Sequence, residues 1–123
     1  MLQALNQGHT IISIGGKVRQ SEHSITSFDF LFNFDQLNID KAFICCSGIS
    51  LDKGVTDFNL EEVETRRKIL DISKYTYLTA DSTKIDKVVT VKICDISSLD
   101  FLISDKHLES KTASLYNNKI KIL

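Results

Sequence analysis

Apolar and polar positions along the chain switch repeatedly between two periods. Thr10-Ile11-Ile12-Ser13-Ile14 reads as a strand, ended by Gly15-Gly16. From Ser24 to Leu37, Phe28, Leu31, Phe32 and Leu37 fall close to helical spacing. Phe30 and Phe34 widen that face, which predicts a heavily buried helix. The Phe28, Phe30, Phe32, Phe34 alternation also suits a strand or an aromatic face, but a buried helix, or part of an oligomer interface, is the better reading. Lys41 to Cys46 is a continuous apolar run, the mark of a strand covered on both faces. Gly48 and Gly54 punctuate the loop expected after it.

Leu60 to Ser73 carries the clearest helical pattern. Asn59 can cap its start, and Glu62 at the third helical position completes a capping box. Glu62–Arg66 and Glu64–Lys68 are favourable i,i+4 pairs, and Leu60, Val63, Ile69 and Leu70 supply the inner face. Further strands are predicted at Tyr75–Ala80, Phe101–Ser104 and Lys119–Leu123, with a short helix over Lys111–Asn117.

Strands separated by helical segments require crossover connections. The expected fold is therefore α/β, with a mainly parallel sheet and flanking helices. Ligands bind such sheets beyond the carboxyl ends of the strands. Three segments fall there by chain order: Gly15-Gly16, Ser47-Gly48, and Asp81-Ser82-Thr83-Lys84.

Composition narrows the function. A chain of 123 residues suits one domain or part of one, and residues 1–123 are read as a single partial domain. The formal net charge of -1 gives no electrostatic case for nucleic-acid or membrane binding by this piece. Its apolar runs are too short to span a bilayer, and the N-terminus lacks a charged region followed by an apolar block. Three cysteines without a framework spacing point to reduced thiols and a cytoplasmic setting. No metal-ligand spacing links Cys45, Cys46, Cys94, His9, His23 and His107, so no metal and no cofactor is expected. No histidine has a spacing that would activate Cys45 or Cys46, and both are assigned to core packing.

Each candidate site residue has a structural reading beside the functional one. Lys84 can set a positive charge on a phosphate, Asp81 can accept from two adjacent hydroxyls, and Ser82 offers a hydroxyl and an N–H at a turn. Alternatively, Asp81 or Ser82 merely caps that turn. Gly15 and Gly16 let backbone approach a ligand, or simply end a strand. Arg19 can fork onto a phosphate or sit solvated on the surface. Glu62 and Arg66 are explained equally well by capping and pairing as by ligand contact. Thr56 and Asp57 line a cleft or belong to an ordinary loop, and for Asp57 the loop is preferred.

In their order, these segments resemble the sensor domain of DeoR-type transcription regulators. Ile14-Gly15-Gly16-Lys17-Val18-Arg19 resembles the family's Gly-Gly-x-x-Arg turn, and Asp40-Lys41-Ala42-Phe43-Ile44 its buried strand. Gly48-Ile49-Ser50, Gly54-Val55-Thr56 and Glu62 with Arg66 follow its loop–helix signature. Asp81-Ser82-Thr83-Lys84 resembles an Asp-Ser-Ser-Lys segment, and Asp100–Asp105 a late strand closed by Asp.

The resemblance implies a fold similar to ribose-5-phosphate isomerase and CoA transferases, incomplete here at its N-terminus. It implies binding of a phosphorylated sugar or related metabolite through Gly15, Gly16, Arg19, Ser47, Gly48, Thr56, Glu62, Arg66, Asp81, Ser82 and Lys84. DNA would be reached only through a helix-turn-helix that this chain lacks, and a homo-oligomer is expected. The sequence departs from the family at Cys45-Cys46-Ser47, where the pattern has Gly-Ala-Asn. Arg66 stands for Lys, and Ile85-Asp86 for Phe-Gly. An isomerase of the same fold is the alternative, with Asp81, Glu62 and Lys84 as acid–base candidates. A fragment without a ligand of its own is the third reading; its unpaired strand edge would invite self-association.

Overall fold

A computed structural model describes residues 6–13, 15–20, 23–26, 36–105 and 107–123. Among them a short antiparallel hairpin comes first, β1 (Lys17–Arg19) with β2 (Ser24–Thr26). Strand β3 (Ile39–Cys45) then opens the main sheet, and β4 (Gly48–Ser50) and β5 (Gly54–Asp57) form a tight antiparallel pair. Helix α1 (Leu60–Asp71) returns the chain to β6 (Ser73–Thr79). After a 3-10 turn at Ser82–Lys84 come β7 (Val91–Cys94) and β8 (Phe101–Ile103). Helix α2 (Ser110–Asn117) leads to β9 (Lys121–Ile122).

The largest sheet has the order β3-β6-β8-β9 and is parallel throughout, as the alternation of elements predicts. A second, three-stranded antiparallel sheet, β4-β5-β7, packs beside it. Ile44, Leu78 and Leu102 lie in register across β3, β6 and β8, and all three are buried. They pack into one core with Ile49, Val55, Val63, Ile93 and Tyr116 from the second sheet and the helices.

Four expectations need correction. Residues 10–13 form no strand: no ladder partner lies beside them among the described residues, and Ile12 is exposed. Ser24–Thr26, read as a helix start, pairs with β1 instead; residues 27–35, the body of that proposed helix, lie outside the described residues. The segment after Cys46 is a ribbon and not a loop. Its turn is chained by Ser50, whose hydroxyl donates to Asp52 and accepts from the Lys53 N–H, and Gly54 supplies a left-handed φ of 79°. Finally, β3 is buried on one face only. Phe43, Tyr77 and Phe101 form a stacked ladder on the other face, with centroids 4.7 Å apart at each step, and Phe43 stays 60% exposed. Cys45 is exposed there too, so only Cys46 joins the core.

Candidate functional site

Register fixes where the strands deliver their side chains. Cys45 pairs with Thr79, and Thr79 with Ile103, so β3, β6 and β8 end level with one another. Residues 46–47, 80–84 and 104–105 therefore leave the sheet along one rim. Gly15 and Gly16 do not follow a strand to that rim; they precede β1, with φ of 72° and 128°. What the hairpin contributes is Arg19.

Arg19, Ser47, Asp57, Glu62 and Arg66 line a cleft of about 310 Å3 at the end of β3. The start of α1 explains how they meet. Asn59 caps the helix by accepting from the Glu62 N–H at 3.0 Å. Glu62 and Arg66, one turn apart, then share a face. Arg19 Nη1 donates to Glu62 Oε1 at 2.7 Å, and Arg66 Nη2 to Glu62 Oε2 at 2.9 Å. Arg66 Nη1 donates to Asp57 Oδ2 at 2.9 Å. The other Asp57 oxygen accepts from Ser47 Oγ at 3.1 Å and from the Phe58 N–H at 2.7 Å. Two arginines and two carboxylates leave this set formally neutral. It is only partly open to water, with side-chain exposures of 21% for Arg19, 18% for Glu62, 19% for Arg66 and 9% for Asp57. Glu64, expected to pair with Lys68, meets Arg67 at 2.6 Å instead.

Cys46 also lines this cleft. Burial pushes its thiol up to about 12, and the negative charge of Asp57 adds to the shift, with Arg66 opposing. The same burial places Cys46 in the core cluster.

Gly48 and Thr56 are not lining residues of the cleft. They hold the second sheet against the segment after the 3-10 turn. Thr56 Oγ1 donates to the Gly48 carbonyl at 3.3 Å and accepts from the Val89 N–H at 3.1 Å. A Cβ on Gly48 would lie 2.5 Å from the Lys87 carbonyl oxygen, so only glycine allows this approach.

Asp81, Ser82 and Lys84 sit beyond β6 on the same rim. Asp81 Oδ1 accepts from the Thr83 N–H at 2.8 Å and also from the Thr83 hydroxyl. That hydroxyl, and more weakly the nearby Lys84, hold the Asp81 carboxyl below its ordinary range. Capping is thus one function of Asp81 in the fold. Ser82 Oγ donates to Asp105 Oδ2 at 3.3 Å, tying the ends of β6 and β8 together. Lys84 is half-buried, and among the described residues it has no carboxylate at ion-pair distance. Asp86, where the family pattern has glycine, adopts a left-handed φ of 56°.

Asp57 is the member that sequence reasoning left in a loop. Its signal is the spacing: it stands two residues before the Asn59 cap, at the end of a strand too short to recognise by alternation. No helix among the described residues is long and apolar enough to cross a membrane, and no His, Cys, Asp and Glu cluster there could hold a metal ion.

A family model described as the DeoR C terminal sensor domain matches residues 1–106. The chain is 30% identical over 103 residues to a putative sgc region transcriptional regulator of Escherichia coli K12, covering 84% of this chain and 40% of that protein. It is 29% identical over 91 residues to the deoxyribose operon repressor of the same strain, covering 74% and 36%. It is 25% identical over 118 residues to the glycerol-3-phosphate regulon repressor of Haemophilus influenzae, covering 96% and 46%. The chain thus spans less than half the length of these relatives.

Proposed function

Since this chain belongs to the DeoR C-terminal sensor domain family, we propose that residues 1–123 are one partial effector-sensing domain of a cytoplasmic transcription regulator and not an enzyme. The effector is a phosphorylated sugar or polyol. The observation that carries this reading is the division of charge along the rim. The Arg19–Glu62–Arg66–Asp57 set is neutral and rich in paired donors and acceptors, which suits hydroxyl groups. Lys84, at the end of the same 3-10 turn as Ser82, makes no ion pair within 4.0 Å among the described residues, which suits a phosphate. The names of two relatives, a deoxyribose operon repressor and a glycerol-3-phosphate regulon repressor, are in keeping with ligands of that kind. As Glu62 has each oxygen taken by a guanidinium, it is a poor candidate for the base of an isomerase.

In this reading the effector binds one arrangement of the domain more tightly and so shifts the population of the DNA-binding state. DNA contact falls to a helix-turn-helix outside this chain, in a homo-oligomer. The site needs no metal and no cofactor. A thermal-shift panel tests it, containing deoxyribose 5-phosphate, glycerol 3-phosphate, their unphosphorylated counterparts and inorganic phosphate. A ligand at 100 times its Kd adds about 2.7 kcal/mol, a rise in Tm of roughly 10 °C for a domain of this size. At least one phosphorylated compound should stabilise the chain in this way, and Lys84→Gln should abolish its advantage over the unphosphorylated form. A flat response to every compound would sink the reading.

A further inference from the structure

Tyr116 is the largest fully buried side chain among the described residues, and its hydroxyl lies where three segments meet. It is 2.7 Å from Asp86 Oδ1 and 3.1 Å from the Ile49 carbonyl oxygen, and it accepts from the Asp86 N–H at 3.3 Å. A phenol has one proton to donate, and the carboxylate is the nearer acceptor and the charged one. The O–H therefore points at Asp86, and the Asp86 N–H returns to the same oxygen. This ring of two hydrogen bonds holds Asp86 in the left-handed conformation, which is uncommon for a non-glycine residue although Asp tolerates it better than most.

Asp86 is two residues past the 3-10 turn. The Lys84 N–H donates to the Asp81 carbonyl at 2.9 Å, the Lys87 N–H donates to the Lys84 carbonyl at 3.4 Å, and Ile85 bridges to Ile49. Upstream, the chain is anchored where the Ala80 N–H donates to the Ile103 carbonyl at 3.0 Å, just past the end of β6; downstream, it is held at Asp86 by a side chain from α2. We propose that Tyr116 and Asp86 are positioning residues: together they form a latch that sets the Ser82–Lys84 turn at the rim, without touching the ligand themselves. What the turn does with a ligand rests on the function proposed above; the latch does not. Burial and the Asp86 carboxylate both raise the Tyr116 pKa, which keeps the phenol a donor.

Amide hydrogen exchange on the full chain separates a latch from general stabilisation. Tyr116→Phe should speed exchange at the Lys84 and Lys87 amides at least tenfold beyond any change at the Leu78 and Leu102 amides. Asp86→Asn, which keeps an oxygen acceptor for the phenol, should restore most of the protection that Asp86→Gly loses. Adding Asp86→Gly to Tyr116→Phe should give little further loss. Should Tyr116→Phe not fold, Asp86→Gly alone carries the same expectation at Lys84 and Lys87. Equal acceleration everywhere, or none at these two amides, overturns the latch. With any phosphorylated compound that stabilises the unaltered protein, Tyr116→Phe should weaken binding at least fivefold. If no compound binds, the functional reading fails and the exchange result still decides the latch.

Discussion

Among the described residues Arg66 donates to both carboxylates of the cleft, and Arg66→Met tests whether the charge set is a built feature. Losing the guanidinium leaves Glu62 with Arg19 and leaves Asp57 with Ser47 Oγ and the Phe58 N–H. Breaking one side of a fully buried pair costs about 3–5 kcal/mol, because the surviving charge stays out of water. Two features lower that figure: the Arg66 side chain is 19% exposed, and Asp57 keeps two donors. Methionine preserves much of the packing of the stem. The expected loss is therefore about 2–3 kcal/mol. In urea this lowers the unfolding midpoint by roughly 1 M, for an m value near 2 kcal/mol/M. The surface pair Lys92–Asp95, at 2.6 Å but with side chains 48% and 67% exposed, supplies the control. Lys92→Met should cost under about 1 kcal/mol. Asp57→Asn added to Arg66→Met should recover part of the loss, because it removes the isolated charge. The reasoning fails if Arg66→Met costs no more than Lys92→Met, or if the two cleft substitutions destabilise additively.

Two other perturbations follow from the packing. Gly48→Ala forces a Cβ to within 2.5 Å of the Lys87 carbonyl oxygen, so the ribbon or the segment after the 3-10 turn must shift. The expected cost is about 1–3 kcal/mol, read as a lower melting temperature with the secondary structure retained. The second concerns alkali. The Cys46 thiol is raised from 9.0 to about 12 and that of Cys94 from 9.0 to about 11, in both cases chiefly by burial. A raised pKa means that the folded chain holds the proton more tightly than the unfolded chain does. This stability is fully present below about pH 9 and is lost as pH rises towards the folded values, by up to about 1.4 kcal/mol per pH unit for each thiol. Cys46→Ala should flatten the fall between pH 9 and 12 in a series of urea titrations, and an unchanged slope would contradict the burial argument.

Much of the architecture was legible because it rests on local patterns. The Asn59 cap, the Glu62–Arg66 spacing and the apolar runs of β3 and β6 each specify an element without reference to distant residues. Their alternation alone implies parallel strands, and parallel strands imply a rim of carboxyl ends where Ser47 and Asp81–Lys84 emerge. Other features are relations between distant segments. The ribbon of β4 and β5 was missed because strands of three and four residues carry too little alternation to register; their pairing shows only when Thr56 meets Gly48 and Val89. Ser24–Thr26 is a strand because Lys17–Arg19 lies beside it, not because of its own composition.

By itself, the sequence determined the α/β class, the parallel main sheet and the rim where the carboxyl ends of its strands emerge, since these follow from period, cap and connection length. Only the tertiary structure decided which charges neutralise one another there. Arg19 and Glu62 are 43 positions apart, Asp57 and Arg66 nine, and the same side chains at the same spacings would be solvated surface groups in another packing. A hydrogen bond between such groups depends on distances of a few tenths of an ångström, and those are set only when the hairpin, the ribbon and α1 close on the end of β3.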